Sequence, residues 1–266
     1  VQAERGFVIL AANTDTVDYV GCAVKLAGSI KNWCTTPVAI VTNDPVPEGV
    51  FDYVCAWPFE LDANGYANDW QCFHASPFRQ TVKLEADMLM VSSPGHWWDM
   101  LQHRDLVVST GARDHQDQLA RSRYYRAVFD SNHLPDVYNA ITYWRLSHTA
   151  QEFFSIVRAI FADWAQFKTL LKFPEETPST DVVYAMAAQI VGPDLVTQPW
   201  AEYPRLIHMR QHIVGSQTAD WTQEFVWEWD GRHLRINTLA QHGAVHYNIK
   251  TWNPDERNYQ KLFPSS

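Results

Sequence analysis

Gly6-Phe7-Val8-Ile9-Leu10-Ala11-Ala12-Asn13-Thr14-Asp15, followed by Val17, Val20, Ala23, Val24, Ala27 and Ile30 at helical spacing, is the stretch that decides the fold. Seven residues without a charge read as a buried strand, the polar triplet as a loop, and the 3.6-residue period as an amphipathic helix packed back on that strand. A second apolar strand, Val38 to Val41, closes on Thr42-Asn43-Asp44-Pro45, and a third, Tyr53 to Trp57, closes on Pro58. Strands alternating with a helix imply a parallel sheet covered by helices on both faces. Ligands of such a sheet collect at the carboxyl ends of its strands.

Further along, the pattern predicts a helix over Trp70–Phe78 and a strand from Thr81 to Val91 that carries Glu85 and Asp87. A helix follows over Gly95–His103, then a strand over Leu106–Ser109 and a polar, arginine-rich excursion from Gly111 to Asp136. A strand over Asn139–Trp144 precedes a long helix over Thr149–Lys168 and a break at Pro174 and Pro178. Another helix begins at Thr180-Asp181 and runs to Ile190, and short strands are predicted over Leu195–Gln198, Phe225–Trp229, Leu234–Asn237 and Ala244–Tyr247. No repeat or linker interrupts the chain, so residues 1–266 are expected to form one α/β domain with a mixed, mostly parallel central sheet.

Composition narrows the function classes. The 266 residues are 46% hydrophobic and 19% charged, which suits a sizeable core and excludes disorder as the dominant state. No apolar run approaches the length of a membrane span. Cys22, Cys34, Cys55 and Cys72 are too far apart for a zinc ribbon or a redox pair and are read as reduced thiols in a cytoplasmic protein. A formal charge of −9 argues against a protein that coats nucleic acid by charge alone, although a local basic groove is compatible with it.

The chemistry-bearing residues are few. Glu85-Ala86-Asp87 places two carboxylates on one side of a strand end, within reach of one divalent cation, at a cost in burial that demands a partner. About 160 residues later His246 ends an apolar run and is followed by Lys250. Two carboxylates and an imidazole suit Mn²⁺ or Mg²⁺, and a lysine beside them suits a diphosphate leaving group. Each residue also has a plain structural reading: Asp181 as a cap residue after Ser179, Asn139 as a turn residue, Tyr19 as a helix-surface aromatic. A nuclease built on the same acids is disfavoured because further acids and lysines are missing near Asp87.

The run from Asn13-Thr14-Asp15 through Ile30-Lys31 resembles the opening of the glycogenin-type (family 8) glycosyltransferases, which have a GT-A nucleotide-sugar-binding fold. Glu85-Ala86-Asp87 is similar to their Asp-x-Asp, Asn139-Ala140-Ile141-Thr142 to an Asn-Ser/Ala-Gly segment, and Ser179-Thr180-Asp181 to an Asp-Gln-Asp helix start. His246-Tyr247-Asn248-Ile249-Lys250-Thr251-Trp252 resembles the terminal His-Phe-x-Gly-x-x-Lys-Pro-Trp signature. The resemblance spans residues 6–252 in the family's order. It implies that Ala11, Ala12, Asn13 and Tyr19 hold the nucleotide, with Tyr19 stacked on the base. Glu85, Asp87 and His246 would hold the metal, Glu85 also the ribose, and Lys250 the diphosphate. Asn139 and Asp181 would face the transferred sugar, which makes Asp181, Asn139 and Lys250 the expected catalytic set.

The resemblance further implies a hexosyl- or pentosyltransferase that uses a nucleotide sugar, UDP-linked by analogy, and retains anomeric configuration. Glucose and a pentose such as arabinose both fit. Four departures bear on the donor: Glu85 replaces the usual first Asp, Ile141 stands where glycine is usual, and neither the glycine between His246 and Lys250 nor the proline before Trp252 is present.

Lys83–Leu89 and Tyr138–Trp144 also resemble glycosyltransferases of tailed bacteriophages that modify DNA. That likeness implies a hydroxylated or hydroxymethylated pyrimidine in DNA as acceptor, in the host cytoplasm. Arg113, Arg121, Arg123 and Arg126, interleaved with Tyr124 and Tyr125, suit phosphate contact and base stacking. Arg113, Arg121, Arg123 and Tyr124 are therefore the expected acceptor contacts, with a target base leaving the stack to reach the donor. The alternatives are a glycan, lipid or protein acceptor, or a sugar-nucleotide-binding protein without turnover.

Overall fold

The computed structural model describes residues 3–121, 126–199 and 204–255. The chain opens with β1 (Ala3–Leu10), α1 (Tyr19–Lys31), β2 (Val38–Val41) and β3 (Tyr53–Cys55), as the apolar pattern predicts. Next come a short 3₁₀ helix (Gly65–Gln71), α2 (Cys72–Ala75), β4 (Phe78–Glu85), β5 (Met88–Met90), α3 (Gly95–Leu101) and β6 (Leu106–Thr110). The middle of the chain forms α4 (Ala127–Ser131), β7 (Val137–Arg145), α5 (His148–Ala162), α6 (Trp164–Leu171), α7 (Thr180–Val191) and α8 (Pro193–Val196). The last third supplies β8 (Leu206–His208), α9 (Gln211–Val214), α10 (Trp221–Glu224), β9 (Trp227–Trp229), β10 (Leu234–Ile236), β11 (Leu239–Ala240) and β12 (Ala244–His246).

Six strands make the central sheet in the order β3-β2-β1-β4-β7-β6. The pairs β3–β2, β2–β1 and β1–β4 are parallel, whereas β7 runs antiparallel to both β4 and β6. The sheet is mixed and mostly parallel, as expected. Phe7, Val8 and Ile9 on β1 and all four residues of β2 are buried, which is why these strands read as continuous apolar runs rather than alternating ones. On one face Val20, Cys22, Ala23, Leu26, Ala27 and Ile30 of α1 join the core. The α1 N-terminus is capped by Asp18, whose Oδ1 accepts the Gly21 N–H at 2.8 Å. A second apolar cluster joins α5 and α7 to β6 and β7, with Phe153, Phe154 and Tyr184 in edge-on contact.

Four expectations are corrected. The strand predicted over Thr81–Val91 is two strands, because Ala86 and Asp87 form a turn after Glu85. That turn takes β5 out of the central sheet and into a second one, ordered β5-β12-β8. The helix predicted over Trp70–Phe78 is cut at Ser76, whose backbone is extended before Pro77, and Phe78 already belongs to β4. The helix predicted over Thr149–Lys168 breaks at Asp163, where the chain turns so that Trp164 is buried against Phe173. The strand predicted over Leu195–Gln198 is instead the short helix α8, opened by Pro193, with a single bridge from Thr197 to Val108 on β6.

The second sheet is what carries the C-terminal residues to the end of β4. His246 on β12 lies opposite Met88 on β5 and level with His208 on β8. Beyond it, the segment from Tyr247 to Trp252 is tied back to α1, where Cys22 Sγ donates to the Lys250 carbonyl and Lys25 Nζ to that of Trp252. Trp252 is buried among Trp221, Trp227 and Tyr247.

The start of β12 depends on Gly243. Its φ is +86°, and a Cβ there would sit 2.4 Å from the Arg205 backbone oxygen that accepts the Ala244 N–H. Gly243→Ala is therefore expected to lower stability by about 2 kcal/mol, measured by urea unfolding. An unchanged midpoint would contradict the close approach.

Candidate active site

Glu85 ends β4, Asp87 lies in the turn that follows, and His246 ends β12. Their side chains converge, with ligand atoms all within 4.8 Å of one another. His246 Nε2 donates to Asp87 Oδ2 at 3.0 Å and lies 3.2 Å from Glu85 Oε2. Lys250 Nζ reaches the same Asp87 oxygen at 2.7 Å. The Asp87 side chain is only 5% exposed and that of Glu85 27%. Two carboxylates packed this closely require nearby positive charge.

The electrostatics follow from that packing. Burial opposes ionisation of Asp87, but His246 and Lys250 outweigh it and hold the carboxyl well below the ordinary range. Glu85, farther from those cations, is pushed up by burial to about 7, against the pull of His246 and Lys83. Burial disfavours the charged forms of His246 and Lys250, yet Asp87 and Glu85 raise both. His208 goes the other way: burial, with His246 and Arg210 nearby, drives it well below the ordinary histidine value.

The donor set suits a hard divalent cation. Carboxylate oxygens from Glu85 and Asp87 with one imidazole nitrogen match Mn²⁺ or Mg²⁺ better than a thiolate-loving metal. The four cysteines are free, and none belongs to the cluster.

Behind the triad lies a polar network that the sequence reading did not assemble. Lys83, two residues before Glu85 on β4, is 1% exposed and pairs with Asp69 Oδ2 at 2.6 Å. Its Nζ also donates to the Asn139 carbonyl, 3.2 Å away. Asp69 in turn accepts from the Tyr184 hydroxyl and from Asn139 Nδ2. Asp181 in the first turn of α7 accepts the Asn139 N–H at 2.8 Å and Arg126 Nη1 at 3.0 Å. The sequence signal for this network was Lys83, a cation inside an apolar strand in phase with Glu85. Asp69 and Tyr184 carried no comparable signal.

The predicted residues divide accordingly. Glu85, Asp87, His246 and Lys250 are brought together. Tyr19, half-buried at the start of α1, lies close enough to Lys250 and Asp87 for both charges to act on its hydroxyl, which burial holds above its ordinary value. Ala11, Ala12 and Asn13 form the loop leaving β1 beside β2, where Ala11 N–H donates to Val41 and Asn13 Oδ1 accepts from Val20 N–H. Asn139, expected to face the sugar, is fully buried, and both ends of its amide are engaged, by Thr142 and by Asp69. Arg113 is tied to Asp117, which also binds Arg205. Arg126 is buried over Phe129 and Tyr138. Arg121 is exposed, and Arg123 and Tyr124 lie outside the described residues.

No family model matches the chain, and no curated protein is significantly similar to it. Solved structures are similar in fold. The galactosyltransferase LgtC in complex with donor and acceptor sugar analogues matches at a TM-score of 0.53 with 11% identity, over 91% of this chain and 87% of that one. Mouse xyloside xylosyltransferase 1 in its apo form matches at 0.56 with 9% identity, over 95% of this chain and all of the other. The fold of this chain is thus the GT-A fold of glycosyltransferases, as the resemblance implied.

The raised Glu85 carboxyl makes a prediction for the metal-free protein. Unfolded, Glu85 titrates near 4.5; folded, near 7. The native state therefore binds the extra proton between those values, and stability falls as the pH rises through them. His246, raised in the fold, adds a loss in the same direction. Urea midpoints measured across this window should fall for the parent and fall less for Glu85→Gln; equal slopes would contradict the assignment.

Proposed function

We propose that this protein is a metal-dependent glycosyltransferase that moves a sugar from a nucleotide sugar, UDP-linked by analogy, to a hydroxyl acceptor with retention. The observation that carries this reading is the convergence of Glu85, Asp87, His246 and Lys250 at the end of β4 in a GT-A fold. Tyr19 and the loop from Ala11 to Asn13 border that point and would receive the nucleotide.

In the reaction the anomeric C–O bond to the diphosphate breaks and a C–O bond to the acceptor oxygen forms. The acceptor's proton passes to the leaving phosphate. Glu85, Asp87 and His246 would hold a divalent cation, whose charge would neutralise the diphosphate. Lys250 adds a fixed positive charge where negative charge develops, worth about two to three orders of magnitude in rate by comparison with other electrostatic stabilisers. Asp181, 24% exposed and held by Arg126 and the Asn139 N–H, would face the transferred sugar. Asn139 and Lys83 act behind it by holding strands β4 and β7 and the 3₁₀ helix in register. Lys83 Nζ donates to the Asn139 carbonyl, and both side chains bind Asp69.

For the acceptor we propose a hydroxylated or hydroxymethylated pyrimidine in phage DNA, in the host cytoplasm. The sequence likeness to phage enzymes and the exposed, basic Arg121 support it. A carbohydrate hydroxyl is the second reading. It is favoured by the engagement of Arg113 with Asp117 and the burial of Arg126, which leave less free positive charge for DNA, and by the sugar acceptor analogue bound to LgtC. Among the described residues no helix is long and apolar enough to cross a membrane.

A transfer assay with Mn²⁺ and a panel of nucleotide sugars, offered hydroxymethylcytosine-containing DNA, unmodified DNA and free glycosides, tests both parts. A mass increment on the modified nucleoside alone is expected. An increment on a glycoside instead would move the acceptor to carbohydrate, and the absence of nucleotide release with every donor would remove the transferase reading. Asp87→Ala is expected to abolish metal-dependent turnover while the far-ultraviolet circular dichroism stays native, and full activity in that variant would contradict the site.

A further inference from the structure

Two histidines meet beside the acidic residues, and one of them has no role in the reading above. His208 and His246 occupy level positions on the parallel strands β8 and β12, so their side chains leave the sheet on the same side. The ring centroids are 4.7 Å apart at an interplanar angle of 57°. Both residues are more than nine-tenths buried.

The hydrogen bonding of His246 is lopsided. Nε2 faces Asp87 and Glu85, while Nδ1 is buried and has no partner among the described residues. A histidine that binds a metal ordinarily has its ring fixed by a hydrogen bond on the nitrogen facing away from the metal. His246 lacks that restraint. The nitrogen that is restrained is the one a cation would take, so occupancy of the site removes the hydrogen bonds that hold the ring in this structure. Packing then remains. His208 lies against the His246 ring, Tyr138 packs edge-on to His208 at 5.4 Å, and the Arg126 guanidinium sits 4.0 Å over the Tyr138 ring while binding Asp181 and Asp136.

We propose that His208 is a positioning residue whose ring sets the orientation of His246 for metal binding and, through Tyr138 and Arg126, keeps the Glu85–Asp87–His246 triad in register with Asp181. The inference rests on the metal-dependent reading above. It asks for a flat ring at position 208 and makes no demand on the ring's nitrogens.

The test is Mn²⁺ binding without donor or acceptor, followed by electron paramagnetic resonance titration of the parent and of His208→Ala, His208→Leu and His208→Phe, each checked for native near-ultraviolet circular dichroism. Removal of the ring is expected to weaken Mn²⁺ binding about tenfold in the Ala and Leu variants, and Phe to restore it to within about threefold of the parent. The Leu variant keeps the volume filled, so it decides the matter if Ala fails to fold. Parent-like affinity in Leu or Ala would overturn the proposal, as would a Phe variant as weak as Ala, because an imidazole nitrogen and not ring packing would then be required. A parent that binds no Mn²⁺ would instead overturn the metal reading on which the proposal rests.

Discussion

The carboxylate of Asp87 is the constraint around which this molecule is arranged. It is nearly sealed from water, and a charge in that position is tolerable only with cations against it. His246 and Lys250 supply them, and both come from about 160 residues further along the chain. Breaking both contacts would leave a buried charge unpaired, so electrostatics help hold β12, in the small sheet formed by β5, β12 and β8, to the turn that follows β4. The same arrangement leaves three ligand-type atoms pointing at one place.

A second ionic layer supports the first. Lys83, Asp69, Asn139, Tyr184, Asp181 and Arg126 connect β4, the 3₁₀ helix, β7, α7 and α4 through contacts that are largely shielded from solvent. Replacing such a network by apolar side chains often costs a fold nothing, so its presence here points to geometric specificity. Lys83 lies two residues before Glu85 on β4, so the layer adjoins the more exposed of the two carboxylates of the triad. Rigidity beneath and accessibility above suit a site that orients a ligand.

Much of the fold was legible in the sequence for a simple reason. Strands buried on both faces, such as β1 and β2, leave unbroken apolar runs, and α1 shows a helical period because one face packs on the sheet. The errors fell where tertiary context overrides local preference. Thr81 to Val91 looks like one strand, yet the chain turns at Ala86 and Asp87 because β5 finds its partner in β12, far away in sequence. Asp163 interrupts an otherwise continuous helical pattern so that Trp164 can reach Phe173. The acid-x-acid pair, His246 and Lys250 were legible because their residue types and order resemble a known family. Asp69, Tyr184 and His208 were not, since an isolated aspartate, tyrosine or histidine has no local signature of its eventual neighbours.

By itself the sequence determined the alternation of strand and helix, the polarity of the sheet's first three strands and the identity of the residues with metal-binding chemistry. All of these depend on spacing or side-chain type, which the chain states directly. Only the tertiary structure decided that Glu85, Asp87, His246 and Lys250 share one point, that Asn139 and Arg126 are buried, and that His208 lies against His246. Those facts depend on which strands pair across long separations, and pairing is settled by the burial of whole faces and the compensation of buried charge, quantities that no short window of sequence contains.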